Sequence, residues 1–268
     1  KGRRWFWLDW NPISKNDREK KLLMDDGYIE RYSRQLILKE IGGPGQNLLS
    51  KARIAIIGAG GLGGPASMYL AAAGVGSMTI IDNDCVETSN LQRQIQFSTS
   101  TVGKEKSESL SERLIAINPS LDCKVFNERI NKENAKNILS DHDVLIDCVD
   151  NFETRFIVND LALDLKIPLV SGAIGKFDGQ VSTFLNTKDS PCYRCFVPEI
   201  PPDAETCSQL GVIGATAGII GSIMALEAIK IITQAGNTLN GKIFIFKGLE
   251  MISKTIKLPK DLKCIACS

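Results

Sequence analysis

Two Cys-x-x-Cys pairs stand far apart in this chain, Cys192 with Cys195 in "PCYRCF" and Cys264 with Cys267 in "KCIACS". Four thiolates suit a tetrahedral zinc ion and leave it no open coordination position, so the spacing predicts a structural metal that pins the end of the sequence to a loop in mid-chain. A redox dithiol is the rival, and two such pairs fit it badly. The remaining cysteines, Cys85, Cys123, Cys148 and Cys207, are scattered singly, which argues against a disulfide framework.

A second constellation begins with "GAGGLG" at 58–63, which fits G-x-G-x-x-G through Gly58, Gly60 and Gly63, with Asp82 nineteen residues beyond. Glycines in such a turn let backbone N–H groups approach phosphates at a helix N-terminus, and an acid at that distance accepts hydrogen bonds from ribose hydroxyls. By itself the pattern means a nucleotide, with NAD the usual guess; the other reading is a glycine turn packed for structural reasons alone. No G-x-x-x-x-G-K-[ST] is present, so this loop brings no lysine to a triphosphate. Cations come later: Arg93 and Gln94 in "SNLQRQ" (89–94) follow the second strand, and Lys106 opens the next helix. A dinucleotide needs only its pyrophosphate neutralised, whereas a triphosphate with about four negative charges needs several cations and a metal. Arg93 and Lys106 together therefore favour ATP, although each alone reads as a solvated surface charge. In "LIDCVDNFETR", Asp147 and Asp150 fall at the carboxyl end of a strand, where ligands bind in open parallel sheets. Asp150 can hold magnesium through an oxygen or cap the following helix, a task open to Asn151 instead, and Asp147 reads as a buttress.

The elements that must position these residues follow a regular pattern. "RYSRQLIL" reads as a helix, "RIAIIGAG" (53–60) as a buried strand entering the glycine turn, Gly63 to Ala73 as a helix and "MTIID" (78–82) as a second strand. A loop over 83–103 leads to a helix from Lys104 to Ile117, strand "CKVF", helix 132–139, strand 144–149, helix 153–165 and strand "PLVSG". This alternation predicts an α/β fold of Rossmann-like, doubly wound, mostly parallel type. "QVSTFL", "KIFIF" and "SKTIKL" then extend the sheet in mixed orientation. The apolar run Val212 to Leu226, rich in glycine, is expected to be too short for a bilayer span and to form a small-residue helix packed closely inside the protein.

Bulk properties set the limits. With 32 Lys and Arg against 31 Asp and Glu the net charge is +1, so no global field draws the chain to nucleic acid or a membrane. A cytoplasmic setting follows from the absence of a recognisable signal peptide and from the cysteine pattern. His142, the single histidine, lies in "SDHD" before a strand, which nearly removes Ser-His, Cys-His and His-metal hydrolase chemistry. Residues 1–24 differ from the rest, with seven basic residues against three acidic ones and all three tryptophans. They read as a membrane-surface or partner-binding arm, or as an appendage or leftover vector sequence. Residues 25–268 are expected to form one domain, with a nucleotide-binding half over about 50–175 and a second half over about 176–268 that carries the zinc pairs.

The motifs "RYSRQLIL", "GAGGLGGPASMYLAAAGVG", "DNDCVETSNLQRQ", "VGKEK", "DCVDNFETR", "PLVSGA", "PCYRC", "GVIG", "ALEAIK" and the final Cys-x-x-Cys resemble, in order and spacing, the MoeB/ThiF family of bacterial relatives of ubiquitin-activating enzymes. The match runs from about Tyr28 to Cys267. The resemblance implies a homodimer that adenylates the C-terminal glycine of a small ubiquitin-like sulfur carrier ending in Gly-Gly, releases pyrophosphate, and serves molybdopterin or thiamin biosynthesis. It places Gly61 against the nucleotide, Asp82 on the ribose, and Ser89, Asn90, Arg93, Gln94 and Lys106 along the phosphates. Asp150 would bind magnesium, with Asn151 beside it, and Arg34 would enter the partner subunit's site as an arginine finger. Cys192, Cys195, Cys264 and Cys267 match zinc ligands. Cys207 falls where family members keep a cysteine that bonds to the carrier or passes sulfur, but Asp203 and Glu205 nearby disfavour its thiolate. With no room for a rhodanese domain after Cys267, a separate sulfur donor such as a cysteine desulfurase or rhodanese is expected. The attacking group would be a terminal carboxylate with a pKa of about 3.5, already ionised, so no general base is needed. An NAD-dependent oxidoreductase, or a non-catalytic scaffold with the same fold, are the alternatives.

Overall fold

The computed structural model describes residues 26–200 and 211–268. The basic arm over 1–24, and Cys207 with its acidic neighbours, lie outside the described residues.

The first strand explains the architecture. In β1 (Arg53–Ile57), Ile54 and Ile56 are buried with Leu70, Leu114 and Met224, whereas Ala55 and Ile57 are buried with Ile138, Phe156 and Val158. Alternate residues point to opposite faces, so a strand apolar at nearly every position must be covered by helices on both sides. Among the described residues, eight strands form one sheet in the order β3-β2-β1-β4-β5-β6-β7-β8. The neighbours β2 (Ser77–Ile81), β3 (Asp122–Phe126), β4 (Val144–Asp147) and β5 (Leu169–Gly175) run parallel to β1. β6 (Asp178–Phe184), which forms a hairpin with β5, and β7 (Lys242–Lys247) and β8 (Ile252–Lys257), a second hairpin, continue it antiparallel. The chain runs outward from β1 through β2 to β3 and then returns to the other side of β1 with β4. That reversal opens a crevice at the carboxyl ends of β1 and β4, where open α/β sheets bind ligands.

Helices α1 (Asp26–Leu36) and α2 (Gly42–Lys51) precede β1, and α3 (Gly63–Ala72) follows the glycine turn. α4 (Lys106–Ile117) leads into β3, α5 (Ala135–Leu139) into β4, and α6 (Phe152–Leu165) into β5. α4 starts two residues later than its sequence pattern suggests, because Lys104 O accepts from Val86 N and Glu105 bridges to Cys85. α2 has no counterpart in the sequence reading: three glycines and a proline give "GGPGQNLLSK" little helix propensity, and tertiary contacts supply the rest. Its Gln46 is buried and donates to Ala73 O at 3.0 Å while accepting from Gln35 at 2.7 Å.

A short helical turn, α7 (Tyr193–Phe196), starts right after Cys192 and carries Cys195. The apolar run near 212–226 needs correction. It belongs to a 20-residue helix, α8 (Gly214–Thr233), long and apolar enough by length and composition to cross a bilayer. It lies instead in the core, against α3 and the sheet, as expected of a small-residue helix. A β-carbon on Gly221 would sit 2.7 Å from Leu62 O, so only glycine permits this approach. The buried Glu227 carboxylate accepts from Thr183 Oγ1 and Leu239 N at 2.7 Å each, a polar anchor that a lipid-facing helix would not carry.

Candidate active site

A cleft of about 790 Å³ opens at the crevice where the chain reverses. Its floor is the glycine turn. Gly58 N donates to Ile81 O at 2.8 Å, and a β-carbon on Gly63 would come within 1.9 Å of Gly58 O, so the turn can close only with glycine at 63. Asp82 braces this turn from the side, its Oδ2 accepting from Ala59 N at 2.7 Å and its Oδ1 from Asp84 N at 2.9 Å. Each carboxylate oxygen keeps a further lone pair toward the cleft that Asp82 lines. Burial pushes the Asp82 carboxyl above its usual range, against the lowering effect of those backbone bonds and of Lys106. Gln96 clamps the turn from the opposite side, donating to Ala59 O at 2.8 Å and Gly60 O at 3.0 Å.

The wall expected to face phosphates comes from the loop after β2. A short turn over Thr88–Asn90 is closed by Glu87 N donating to Asn90 Oδ1 at 3.2 Å, and Arg93 Nη1 donates to Ser89 O at 3.0 Å. Gln94 is buried at the cleft wall, and its Oε1 has no partner among the described residues. Lys106, at the start of α4, is buried with its Nζ 2.8 Å from Asp84 Oδ2. Gly58, Gly60, Gly61, Asp82, Ser89, Asn90, Arg93, Gln94, Lys106, Asp150 and Asn151 all line this one cleft.

Across from them, the end of β4 presents Asp150, exposed, and Asn151. Asn151 is the cap of α6, accepting from Thr154 N at 2.9 Å, which leaves the Asp150 carboxylate unused for capping. Asp147 is the expected buttress: fully buried, it pairs with Arg155 at 2.9 Å and accepts from Ser171 Oγ at 2.7 Å. Burial raises its carboxyl, and Arg155 and Ser171 oppose the rise. Arg34, on α1, is exposed and does not line the cleft of its own chain.

The four cysteines meet away from the cleft opening. Their sulfurs lie within 4.8 Å of one another, with Cys192 Sγ 3.6 Å from Cys264 Sγ and Cys195 Sγ 3.5 Å from Cys267 Sγ. Zn–S bonds of about 2.3 Å require tetrahedral S···S edges of about 3.8 Å, so the donor set fits zinc with little adjustment. Cys192 and Cys264 are buried, and burial pushes the Cys192 thiol far up, a cost that a bound divalent cation offsets by stabilising the thiolate. None of the seven described cysteines forms a disulfide.

Sequence reasoning passed over Gln96, Asp84, Arg129 and Arg155. Arg129 lines the cleft after β3 and donates to Asn151 Oδ1 at 3.1 Å. Arg155 carried a signal: an arginine in the first turns of the helix that follows a strand ending in an aspartate is placed to fold back over that strand. His142 is structural, its ring nitrogens 2.8 Å from Thr79 Oγ1 and 3.1 Å from Leu139 O.

The ThiF family profile matches residues 32–266. The chain is 39% identical over 248 residues to the SAMP-activating enzyme E1 of Haloferax volcanii, covering 92% of this chain and 91% of that protein. It is 40% identical over 245 residues to the sulfur carrier protein adenylyltransferase of Thermus thermophilus, covering 89% and 90%. Adenylyltransferase and sulfurtransferase MOCS3 of Culex quinquefasciatus is 43% identical over 249 residues; the match takes 91% of this chain but spans just over half, 56%, of that relative. Among solved structures, E. coli MccB with ATP aligns at a TM-score of 0.75 over 89% of this chain and 74% of that one, at 23% identity, a likeness of fold.

Proposed function

The chain belongs to the ThiF family, and from that premise we propose that it is an ATP- and magnesium-dependent adenylyltransferase of the C-terminal glycine of a ubiquitin-like sulfur carrier. The observation that carries this reading is that Arg93 and Lys106, which come after β2, and Asp150, which comes after β4, line one cleft with the glycine turn that follows β1. Hydride transfer would leave both cations and the four-cysteine site without a task.

In the reaction, a terminal carboxylate oxygen of the carrier attacks the α-phosphorus of ATP. The bond from that phosphorus to the bridging oxygen breaks, and pyrophosphate departs with the electron pair. The carboxylate is already ionised, so no proton has to be removed. The work is alignment and charge stabilisation. Backbone N–H groups of the glycine turn and α3 face the phosphates, Asp82 holds the ribose, and Ser89, Asn90 and Gln94 line the phosphate path. Arg93 and Lys106 meet the charge that accumulates on the departing pyrophosphate. Asp150 would hold magnesium, which would neutralise phosphate charge; one or two carboxylates are the usual protein contribution to such an ion.

Homodimerisation belongs to the same proposal, with Arg34 completing the partner subunit's cleft; its exposure outside its own cleft supports this. Zinc on the four cysteines is structural. A separate sulfur donor completes the sequence, its sulfur bonding to the acyl carbon as the bond to the phosphate oxygen breaks and AMP leaves, either directly or by way of Cys207. A cytoplasmic setting belongs to the same proposal. Pyrophosphate–ATP exchange that depends on a Gly-Gly-ended carrier tests the proposal. Exchange at the rate of a no-enzyme control would leave only the scaffold reading.

A further inference from the structure

The turn that carries Asp150 is held by a chain of contacts reaching back to the four-cysteine site. Arg155, buried beneath the cleft, donates to Asp147 Oδ2 and Ser171 Oγ at 2.9 Å each. Its second terminal nitrogen donates to Val149 O at 2.5 Å and Gly172 O at 2.7 Å. Val149 immediately precedes Asp150, so one guanidinium ties that turn to the end of β4 and the middle of β5. A buried planar fork with four such partners has a single orientation.

Behind Arg155 stands the turn between the first two zinc-site cysteines. Tyr193 lies 5.8 Å from the Arg155 guanidinium, lines the cleft, and packs edge-on against Phe184 and Phe196. Its backbone N–H donates to Asn159 Oδ1 at 2.8 Å. The next residue, Arg194, donates through two nitrogens to Asp160 at 2.8 Å each, and its guanidinium lies 4.0 Å above the Phe156 ring. Asn159, Asp160, Phe156 and Arg155 are all on α6, whose cap, Asn151, adjoins Asp150. Both residues enclosed by Cys192 and Cys195 therefore grip the helix that begins at the magnesium-facing turn.

We propose that Arg155 is a positioning residue for the Asp150 turn and that Tyr193 couples it to the four-cysteine site, so that the zinc-binding turn sets how well the cleft takes magnesium with its nucleotide. This rests on the functional reading above and adds to it a task for a metal site that has no open coordination position. Partners that orient a metal-binding group without touching the metal typically change metal affinity by about 10–100-fold when removed.

The experiment compares the full-length protein with Tyr193→Leu, Tyr193→Phe and Arg155→Lys. It reads zinc per chain, thermal midpoint, and ATP affinity by calorimetry with and without magnesium chloride. Tyr193→Leu is expected to keep its zinc and to lose about tenfold of the gain that magnesium confers on ATP affinity, and Tyr193→Phe, which keeps the ring and loses only the hydroxyl that pairs with Arg155, is expected to recover part of that gain. Should Tyr193→Leu lose zinc or unfold, Arg155→Lys carries the test. It leaves the cysteine turn untouched and keeps a cation beside buried Asp147, and the same selective loss is expected. Zinc-loaded Tyr193→Leu and Arg155→Lys that bind magnesium-ATP as the parent does would overturn the relay and leave the adenylyltransferase reading standing. A parent protein that binds no magnesium-ATP would remove that reading, and the relay with it.

Discussion

Lys106 Nζ lies 2.8 Å from Asp84 Oδ2, the lysine buried and the aspartate largely exposed. The ammonium is thereby held in the cleft, and under the proposed function it exchanges its carboxylate partner for a phosphate oxygen when the nucleotide arrives. Such preorganisation is where electrostatic catalysis gains most, since no reorganisation is needed as charge develops. Lys106→Met should lower pyrophosphate exchange by roughly 100–1,000-fold, the usual cost of removing one preorganised donor. Asp84→Asn should cost far less. Equal losses in the two variants would assign the lysine a role in folding instead.

Arg34 and Asp150 separate the two contributions that the proposed dimer makes to one cleft. Both side chains are exposed, so alanine at either position should change stability by no more than about 0.5 kcal/mol. Each single variant should lose adenylation, Arg34→Ala by on the order of 1,000-fold. In a mixture, a heterodimer site formed by Asp150 of the Arg34→Ala chain and Arg34 of the Asp150→Ala chain is complete, so activity should return. A mixture as inactive as its parents, with subunit exchange demonstrated, contradicts action across the two-fold axis.

His142 reports on the core behind β1 and β2. Burial lowers its pKa below the ordinary value, a shift opposed by Leu139 O and reinforced by Arg53. A histidine depressed in the folded state adds stability that is complete above its unfolded pKa of about 6.5 and is lost as pH falls through the lower, folded value. Thermal midpoints should therefore drop on mild acidification below about pH 6.5, and His142→Gln should flatten that slope. Because the chain has one histidine, its ring proton resonance can be followed directly. A midpoint at or above the ordinary histidine value would reject this account.

The four-cysteine site should hold one zinc per chain. Cys264→Ser removes a buried ligand while leaving its three partners in place, and the protein should lose zinc together with a large part of its thermal stability, because binding energy at such a site is folding energy. Metal analysis and a melt with and without chelator check this. A zinc-free variant that melts like the parent would show that the C-terminal segment is held by other contacts.

The legible parts of this site were those whose chemistry depends on local spacing. The glycine turn, Asp82, the Arg93 segment and the two cysteine pairs announce themselves because a backbone turn or a tetrahedral metal demands particular residues at particular intervals. Asp147 and Asp150 were also separable, since one falls within the strand pattern and the other beyond it. Gln96 was not legible: its purpose is to hold Ala59 O and Gly60 O, which the chain brings near only after β2 has paired with β1. Arg129 depends likewise on β3 lying beside β2. α2 was missed because Gly, Gly, Pro and Gly oppose a helix locally, while burial of Leu49 and the Gln46 hydrogen bonds outweigh that preference. The length of α8 was underestimated because its second half, with Glu227 and Lys230, looks like a polar boundary until Thr183 and Leu239 are seen to satisfy the acid.

The central claim is that one cleft activates a peptide carboxylate with ATP. Intact mass spectrometry of a Gly-Gly-ended carrier, incubated with the protein, ATP and magnesium and without a sulfur donor, tests it most directly. The account predicts a carrier heavier by one AMP, formed with the parent protein and missing with Asp150→Ala. A carrier of unchanged mass across a panel of such substrates, with the protein folded and zinc-loaded, would contradict it.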